Sequence, residues 1–176
     1  MMKRTFSLLL VLMTLTLASS SCSFFRSAGM QSRSHVLPEQ RISIEEVYSS
    51  RDHLGIYGRL YRPVGVKGRL PLVILSHGFG VTHRDGEGYA ELLTRMGYLC
   101  YTFDFNGGGR ESLSAGATTD MSVLTEQADL NAVIDQLKRR SDVDPRYITL
   151  LGLSQGGLVS ALTAASRPDD IASLIL

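Results

Sequence analysis

One short segment, Gly152-Leu153-Ser154-Gln155-Gly156, has the residue types and spacing that chemistry at a serine requires. An apolar, β-branched run over 147–151 precedes it, and a small-residue, helix-compatible run over 157–165 follows it. A sharp turn from strand to helix lifts a serine hydroxyl above the sheet, and flanking glycines remove side chains that would clash there. The start of the helix then supplies free N–H groups where an oxyanion would form. G-x-S-x-G alone arises by chance in a chain with 17 glycines, but together with the strand and the helix it predicts a nucleophilic Ser154.

The composition fits one folded domain and gives no sign of a nucleic-acid partner. The chain has 176 residues, of which 44% are hydrophobic, so it can build a real core. A formal net charge of +1 produces no field that would attract nucleic acid or an acidic protein. The two cysteines, Cys22 and Cys100, offer no metal site, and we expect no metal and no cofactor. Cys100 lies in a strand-like run, where we expect a small buried apolar residue.

The first 22 residues have the pattern of an export signal. Lys3 and Arg4 form a charged start, an apolar stretch runs from Phe6 to Ala18, and Ser19–Ser21 lead to Cys22. This stretch is too short for a permanent transmembrane helix, which takes about 20 apolar residues. We therefore interpret it as a signal peptide.

Two cleavage sites stay open. The segment 17–22 resembles a bacterial lipoprotein signal, in which Cys22 is lipidated, although Ser19 stands where that pattern prefers a large aliphatic residue. The alternative is ordinary signal-peptidase cleavage near Ser21. We favour lipidation, because a cysteine directly after the apolar stretch is otherwise uncommon. The prediction is a signal peptide over 1–22, a flexible tether over 23–40 and a folded domain over 41–176. The protein would be anchored to the membrane of the cell envelope, or otherwise periplasmic or secreted.

The order of predicted elements indicates an α/β fold with a mainly parallel sheet. A partly exposed strand over 42–48 pairs in a hairpin with a second over 54–64, across a turn over 49–53. Strands then alternate with helices: strands over 70–76, 99–104, 147–151 and 171–176, and helices over 89–96, 122–139 and 157–165. On the long helix, one face carries Val123, Leu130, Ile134 and Leu137, so we assign Glu126, Asp129 and Asp135 to its solvated side.

Four landmarks in this order resemble the α/β-hydrolase superfamily. His77-Gly78-Phe79-Gly80 follows a buried strand, as the oxyanion-loop H-G motif does, and the segment 104–112 is similar to the D-x-x-G-x-G-x-S loop with one extra residue. The long helix and the Gly152–Gly157 segment complete the set. H-G-F-G with G-x-S-Q-G-G looks most like bacterial cinnamoyl/feruloyl esterases and serine-aminopeptidase-like relatives. The resemblance covers 42–176 and implies an N-terminal part of that fold, truncated after the helix that follows the serine.

By position, the resemblance implies a serine esterase that acts on small-molecule esters through an acyl-enzyme. Ser154 would be the nucleophile, and the N–H groups of Phe79 and Gln155 would form the oxyanion hole. A serine peptidase of the aminopeptidase-like type is the enzymatic alternative, and a non-catalytic binding module is the alternative outside enzymes.

The remaining candidates for acid–base chemistry receive structural interpretations. In the H-G motif the histidine braces its loop, which is the role we expect for His77. His83 is expected to be an exposed loop residue rather than part of the acyl pocket. Asp104 ends a strand beside the site and is expected to accept structural hydrogen bonds. His35 falls in the tether and His53 in the hairpin turn.

The base and the acid of a catalytic triad are missing from the pattern. The resemblance implies the chain order Ser, Asp or Glu, then His. The segment after Ser154 contains no histidine, and Asp169 and Asp170 come too early to be the acid. A serine needs an adjacent base to lose its proton. We therefore expect the sequence to be the N-terminal part of a longer hydrolase, inactive by itself, and a reading frame downstream of codon 176 would test this.

Overall fold

A computed structural model describes residues 40–176 as an α/β fold. The predicted signal peptide, Cys22, His35 and all but the last residue of the predicted tether lie outside the described residues. The strands are β1 Ile42–Glu46, β2 Ser49–Arg51, β3 Leu54–Ile56, β4 Gly58–Pro63, β5 Leu70–Ser76, β6 Leu99–Phe103, β7 Val143–Gly152 and β8 Ser173–Ile175. The α-helices are α1 Glu87–Arg95, α2 Val123–Leu137 and α3 Gln155–Ser166, and short 3₁₀ turns cover His83–Gly86 and Thr118–Asp120.

Six strands form the main sheet in the order β1-β4-β6-β5-β7-β8. The pairs β1–β4 and β4–β6 are antiparallel, whereas β6–β5, β5–β7 and β7–β8 are parallel. All five residues of β6 and six of the seven in β5 are buried, which explains their continuous apolar runs. The predicted mainly parallel sheet with an antiparallel N-terminal part is confirmed.

Helices cover both faces of the sheet. Helix α1 packs over one face, where Val73, Leu75, Ala90 and Cys100 form a small core. Helices α2 and α3 cover the other face, where the larger core joins them to the sheet, with members that include Leu72, Ile74, Phe103, Leu130, Ile134, Ile148, Leu150 and Val159. The prediction of a buried Cys100 is confirmed, and burial raises the pKa of its thiol to about 12. Within residues 40–176, none of the helices has the length and apolar character needed to cross a bilayer.

The N-terminal hairpin differs from its prediction in one respect. β1 does pair with β4, but a second hairpin, β2–β3, occupies the predicted turn and the first residues of the predicted second strand and forms a separate two-stranded sheet. Its turn is Asp52-His53, and both residues have positive φ, 48° and 69°. Two-residue turns of this kind are usually signalled by glycine, which is absent here. β7 also begins earlier than predicted, at Val143, which pairs with Leu70.

Candidate active site

Ser154 lies at the junction of β7 and α3 in a strained backbone conformation. It is the N-cap of α3, with φ 51° and ψ −119°, and its side chain is exposed. A residue other than glycine in such a conformation costs on the order of 1–3 kcal/mol, and the surrounding structure must hold it there. The junction therefore has the strand–turn–helix geometry that a nucleophilic serine requires.

Close packing against the end of β5 holds this turn. The N–H of Leu153 donates to the carbonyl of Ser76 at 2.9 Å. A Cβ on Gly156 would lie 2.3 Å from the Ser76 oxygen and 2.5 Å from the His77 oxygen. A Cβ on Gly152 would lie 2.5 Å from the Gly156 oxygen. Glycine is required at both positions because backbone atoms of neighbouring segments lie where a Cβ would be. Without these side chains, the start of α3 can pack directly against the loop that follows β5.

The H-G loop lies directly beside the serine. A Cβ on Gly78 would be 3.2 Å from Ser154 Cβ and 3.7 Å from Ser154 Oγ. Phe79 is the next residue, and its ring is 65% exposed. Within residues 40–176, neither the Phe79 N–H nor the Gln155 N–H donates to a protein acceptor. The structure thus brings Ser154, the H-G loop and the first turn of α3 together. The oxyanion role of Phe79 and Gln155 stays a prediction.

His77 braces its loop, as predicted. The side chain is buried, Nδ1 lies 2.7 Å from the Gly78 oxygen, and Nε2 lies 3.2 Å from the Phe105 nitrogen. Because Nε2 accepts from the Phe105 N–H, Nδ1 carries the proton and donates to Gly78. Burial lowers the pKa of the ring, which favours this neutral form. Both ring nitrogens are engaged, so His77 has no free nitrogen to act as a base for Ser154.

The prediction of an exposed His83 is wrong. Its side chain is buried, and both its backbone N–H and Nδ1 reach Asp104 Oδ1, at 2.6 and 2.9 Å. Asp104 Oδ2 accepts from the Leu113 N–H at 2.8 Å, so the predicted structural role of Asp104 is confirmed. His83 is buried because it pairs with Asp104, a carboxylate just after β6 that is 21 residues away in the sequence.

The prediction of a solvated Glu126 and Asp129 is also wrong, whereas Asp135 is exposed as predicted. Asp129 accepts from Arg51 Nε at 2.6 Å and from the Asn106 N–H at 2.9 Å. Glu126 Oε2 accepts from Gln155 Nε2 at 2.6 Å. Burial raises the pKa of both carboxyls, and their hydrogen bonds oppose this. Their positions, four residues before Leu130 and Val133, place them on the buried stripe of α2, a signal that the sequence did contain.

No group among residues 40–176 completes a triad around Ser154. Ser154 Oγ makes no hydrogen bond to this part of the chain. Nδ1 of His83 is bonded to Asp104, and the other ring nitrogen, Nε2, is buried without a hydrogen bond, 3.9 Å from Glu87 Oε1 and not bonded to the serine. Nor do the described residues hold a cluster of three or more side chains suited to a metal ion. A groove of about 530 Å³ opens beside the H-G loop, lined by Gly80, Val81, Thr82, Arg84, Asp85, Arg110 and Glu111. Ser154 is not part of its lining, so the groove carries no substrate assignment.

Comparison with known proteins supports the interpretation of this geometry. A family described as serine aminopeptidase, S33, matches residues 69–176. Human monoglyceride lipase is 28% identical over 121 residues, which cover 69% of this chain and 38% of the lipase. Proline iminopeptidase from Lactiplantibacillus plantarum is 35% identical over 123 residues, covering 68% of this chain and 40% of the peptidase.

A solved structure agrees in fold. Est1E from Butyrivibrio proteoclasticus, with ferulic acid bound, superposes with a TM-score of 0.67 at 29% identity. The match covers 73% of this chain and 50% of Est1E. The chain thus spans half or less of the length of these similar proteins.

Proposed function

We propose that this chain, which belongs to the serine aminopeptidase (S33) family of α/β-hydrolases, supplies the nucleophile and the oxyanion donors of a carboxylic-ester hydrolase. The observation that carries the proposal is the positive φ of Ser154 at the turn that joins β7 to α3 and packs against the end of β5. Strain of this kind persists only where surrounding contacts impose it, and it is typical of functional positions.

In the proposed reaction, Ser154 Oγ attacks the carbonyl carbon of the ester. A base takes the serine proton, and the carbonyl oxygen becomes an oxyanion that accepts hydrogen bonds from the Phe79 and Gln155 N–H groups. The bond to the leaving alcohol then breaks, the base returns the proton to that alcohol, and water hydrolyses the acyl-enzyme by the same route. Loss of one oxyanion donor typically raises the barrier by about 2.7–4 kcal/mol, so the two amides matter nearly as much as the base.

Esters are the favoured substrate class for two reasons. Human monoglyceride lipase and the ferulic-acid-bound Est1E are among the similar proteins, and both names point to ester or hydroxycinnamoyl chemistry. Phe79, exposed beside the serine, offers an apolar surface for an acyl group or a leaving group. We therefore propose small aryl and hydroxycinnamoyl esters as substrates. Proline iminopeptidase supports the peptidase alternative.

The test is covalent labelling of Ser154 by a fluorophosphonate, read by intact mass spectrometry. Imidazole is added as an external base, because the described residues present none to the serine. We expect one adduct per chain in the wild type and none in Ser154→Ala, while Ser141→Ala, a control at an exposed serine, is labelled like the wild type. Equal labelling of Ser154→Ala would overturn the proposal, and absence of labelling in all three proteins would favour a binding module.

Substrate class is a separate measurement. In a form with Ser154-dependent turnover, an ester and an amide that share acyl and leaving groups are compared. We expect the ester to be hydrolysed faster. Faster turnover of the amide would move the assignment to a serine peptidase.

Export and lipidation at Cys22 are also proposals, and they rest on the sequence of residues 1–22 alone. Two or more acyl chains on one cysteine would hold the protein on a membrane against salt washing. We expect incorporation of a radiolabelled fatty acid and accumulation of an unprocessed precursor in Cys22→Ala. A mature protein that starts at another residue and carries no acyl label would contradict lipidation.

A further inference from the structure

We propose that Glu126 is a positioning residue of the oxyanion site. Its carboxylate anchors the Gln155 side chain and thereby fixes the direction of the Gln155 N–H. This inference rests on the proposed function, because it assigns a role to an amide that the proposal places in the oxyanion hole. Glu126 itself touches neither the serine nor the substrate.

The first turn of α3 has only one side chain that can anchor it. Gln155 is the first residue of the helix, and Gly156 and Gly157 follow. The glycines allow the close approach to β5 and β7, but they offer no side chain that could hold the turn from its other side. The Gly156 and Gly157 N–H groups donate to the Leu153 and Ser154 oxygens at 2.9 Å, whereas the Gln155 N–H has no such partner among the described residues. The orientation of the Gln155 amide therefore depends on the strained Ser154 before it and on its own side chain.

The contact that anchors Gln155 is short and mostly buried. Gln155 Nε2 donates to Glu126 Oε2 at 2.6 Å, and the Glu126 residue is 1% exposed. A hydrogen bond to a carboxylate is roughly twice as strong as one between neutral groups. The distance and the burial together indicate a single arrangement of the Gln155 side chain.

Glu126 is itself held on a rigid support. It lies just inside α2, whose start is closed by reciprocal bonds between Ser122 and Thr125, including Thr125 N–H to Ser122 Oγ at 3.2 Å. One turn further, Asp129 binds Arg51 of β2 and Asn106 of the loop after β6. Helix α2 thus has contacts with β2 and with the loop after β6 that are separate from the contact of Glu126 with α3.

A carboxylate is a costly means of packing two helices together. Replacing buried charged or polar pairs with apolar residues of similar volume is often neutral or stabilising. A purely structural contact between α2 and α3 would be met by leucine or methionine, as it is elsewhere in the core by Leu130 and Val159. Orientation of a particular amide, in contrast, needs a directional acceptor, and that is what Glu126 provides.

The direct test measures the order of the Gln155 amide by ¹⁵N relaxation in the full chain. In the wild type we expect the rigid order parameter of about 0.85, and in Glu126→Ala a fall toward about 0.6. Glu126→Gln should keep the rigid value, since its amide oxygen can still accept from Gln155 Nε2. Asp129→Asn is the matched control: it changes a second buried carboxyl of the same helix that has no contact with Gln155, so it should lower Tm and leave this amide ordered.

The functional arm measures the rate of fluorophosphonate labelling of Ser154 with imidazole as the base. We expect a decrease of about 10- to 100-fold in Glu126→Ala, as small misplacements in active sites produce. Glu126→Gln should restore most of the rate, and Asp129→Asn should retain it. The labelling rate of Gln155→Met should fall to a similar degree. The rate of the double variant Glu126→Ala/Gln155→Met should fall no further, because both changes remove the same contact.

Two outcomes would overturn the inference. One is a Gln155 amide that stays ordered in Glu126→Ala, and the other is a labelling rate that stays unchanged although the amide has loosened. Labelling of Ser154→Ala would overturn the proposed function instead. In that case the relaxation measurement would still decide whether Glu126 orders Gln155.

Discussion

The two sides of Ser154 differ in how their side chains are hydrogen-bonded and buried. On the side of β5 and β6, two buried side chains hold the loops by hydrogen bonds: His77 binds Gly78 and Phe105, and Asp104 binds His83 and Leu113. On the side of β8, several apolar side chains of the described residues are exposed. Tyr147, Leu158 and Ile175 are 54%, 53% and 47% exposed, and all three residues of β8 are exposed.

This difference separates two requirements of acyl transfer. Donors that stabilise an oxyanion must be rigid before the reaction, and the side of β5 and β6 holds the H-G loop by buried hydrogen bonds. A base must reach the serine hydroxyl, and within residues 40–176 neither side offers one. The described part of the chain therefore holds the H-G loop in place beside Ser154 but presents no base to the serine.

The largest effect is expected where the two sides meet. Gly156→Ala would force a Cβ to within 2.3 Å of the Ser76 oxygen and 2.5 Å of the His77 oxygen. Because both obstacles are backbone atoms, the cost should exceed about 4 kcal/mol of unfolding free energy, a value seen only for severe disruptions. Urea unfolding measures it.

The matched control for that substitution is Gly88→Ala. A Cβ on Gly88 meets nothing within 4 Å, and the residue lies in α1. We expect a stabilisation of about 0.4–1 kcal/mol from reduced freedom of the unfolded chain. If Gly156→Ala were equally harmless, the turn at Ser154 would not be held by contact with β5.

The next largest effect is expected on the side of β5 and β6. Asp104→Ala would leave two buried donors, the His83 N–H and His83 Nδ1, and one partly buried donor, the Leu113 N–H, without an acceptor. Each unsatisfied buried donor costs about 1–3 kcal/mol, so we expect a loss of about 3 kcal/mol in total. Thermal unfolding of Asp104→Ala and of the exposed control Asp120→Ala measures it. A Tm equal to that of the control would show that Asp104 does not hold the loop.

The elements could be predicted from the sequence because local patterns determine them. The continuous apolar run of β5, the glycine after α1 and the G-x-S-x-G turn each act within a few residues, and the structure has them at nearly the predicted bounds. The exceptions are local as well. The β2–β3 hairpin escaped prediction because Asp52 and His53 adopt the positive φ that glycine usually signals.

The polar partners could not be predicted, because they join distant segments. His83 meets Asp104 across 21 residues, and Glu126 meets Gln155 across 29. Charged side chains are rarely buried unless they are paired, so a solvated position is the default expectation. The spacing of Glu126 and Asp129 from the leucine and valine of the buried stripe was a signal against that default. Only the fold identifies the residues that they meet.

A smaller effect should appear in the pH dependence of stability. Burial raises the pKa of Glu126 above its ordinary value of 4.5, the hydrogen bond from Gln155 opposes this, and the charge of Asp129 adds to it. The unfolded chain therefore releases this proton first. The stability contribution is complete below the ordinary pKa of about 4.5 and is lost as the pH rises through the native pKa. Glu126→Gln should thus gain stability relative to the wild type as the pH rises above that value.

Urea unfolding at a series of pH values tests this sign. The exposed control Glu111→Gln should give a curve parallel to that of the wild type. A Glu126→Gln variant that instead lost relative stability with rising pH would mean that the native fold favours the charged carboxylate. Burial would then not be the dominant influence on Glu126.

The smallest difference is expected in ester turnover without an added base. The full chain should hydrolyse p-nitrophenyl acetate no faster than Ser154→Ala, because both ring nitrogens of His77 are engaged and Ser154 Oγ makes no hydrogen bond to a base among residues 40–176. Removing a triad member from a serine protease still leaves about 10³- to 10⁴-fold catalysis over water, so we expect the same weak background in both proteins rather than none. Imidazole should then separate them, since it supplies a base to Ser154 beside the oxyanion donors that we propose. Ser154-dependent turnover without imidazole would contradict the comparison of the two sides. If His77→Gln abolished that turnover, His77 would be the base and its bracing bonds would have to break during the reaction.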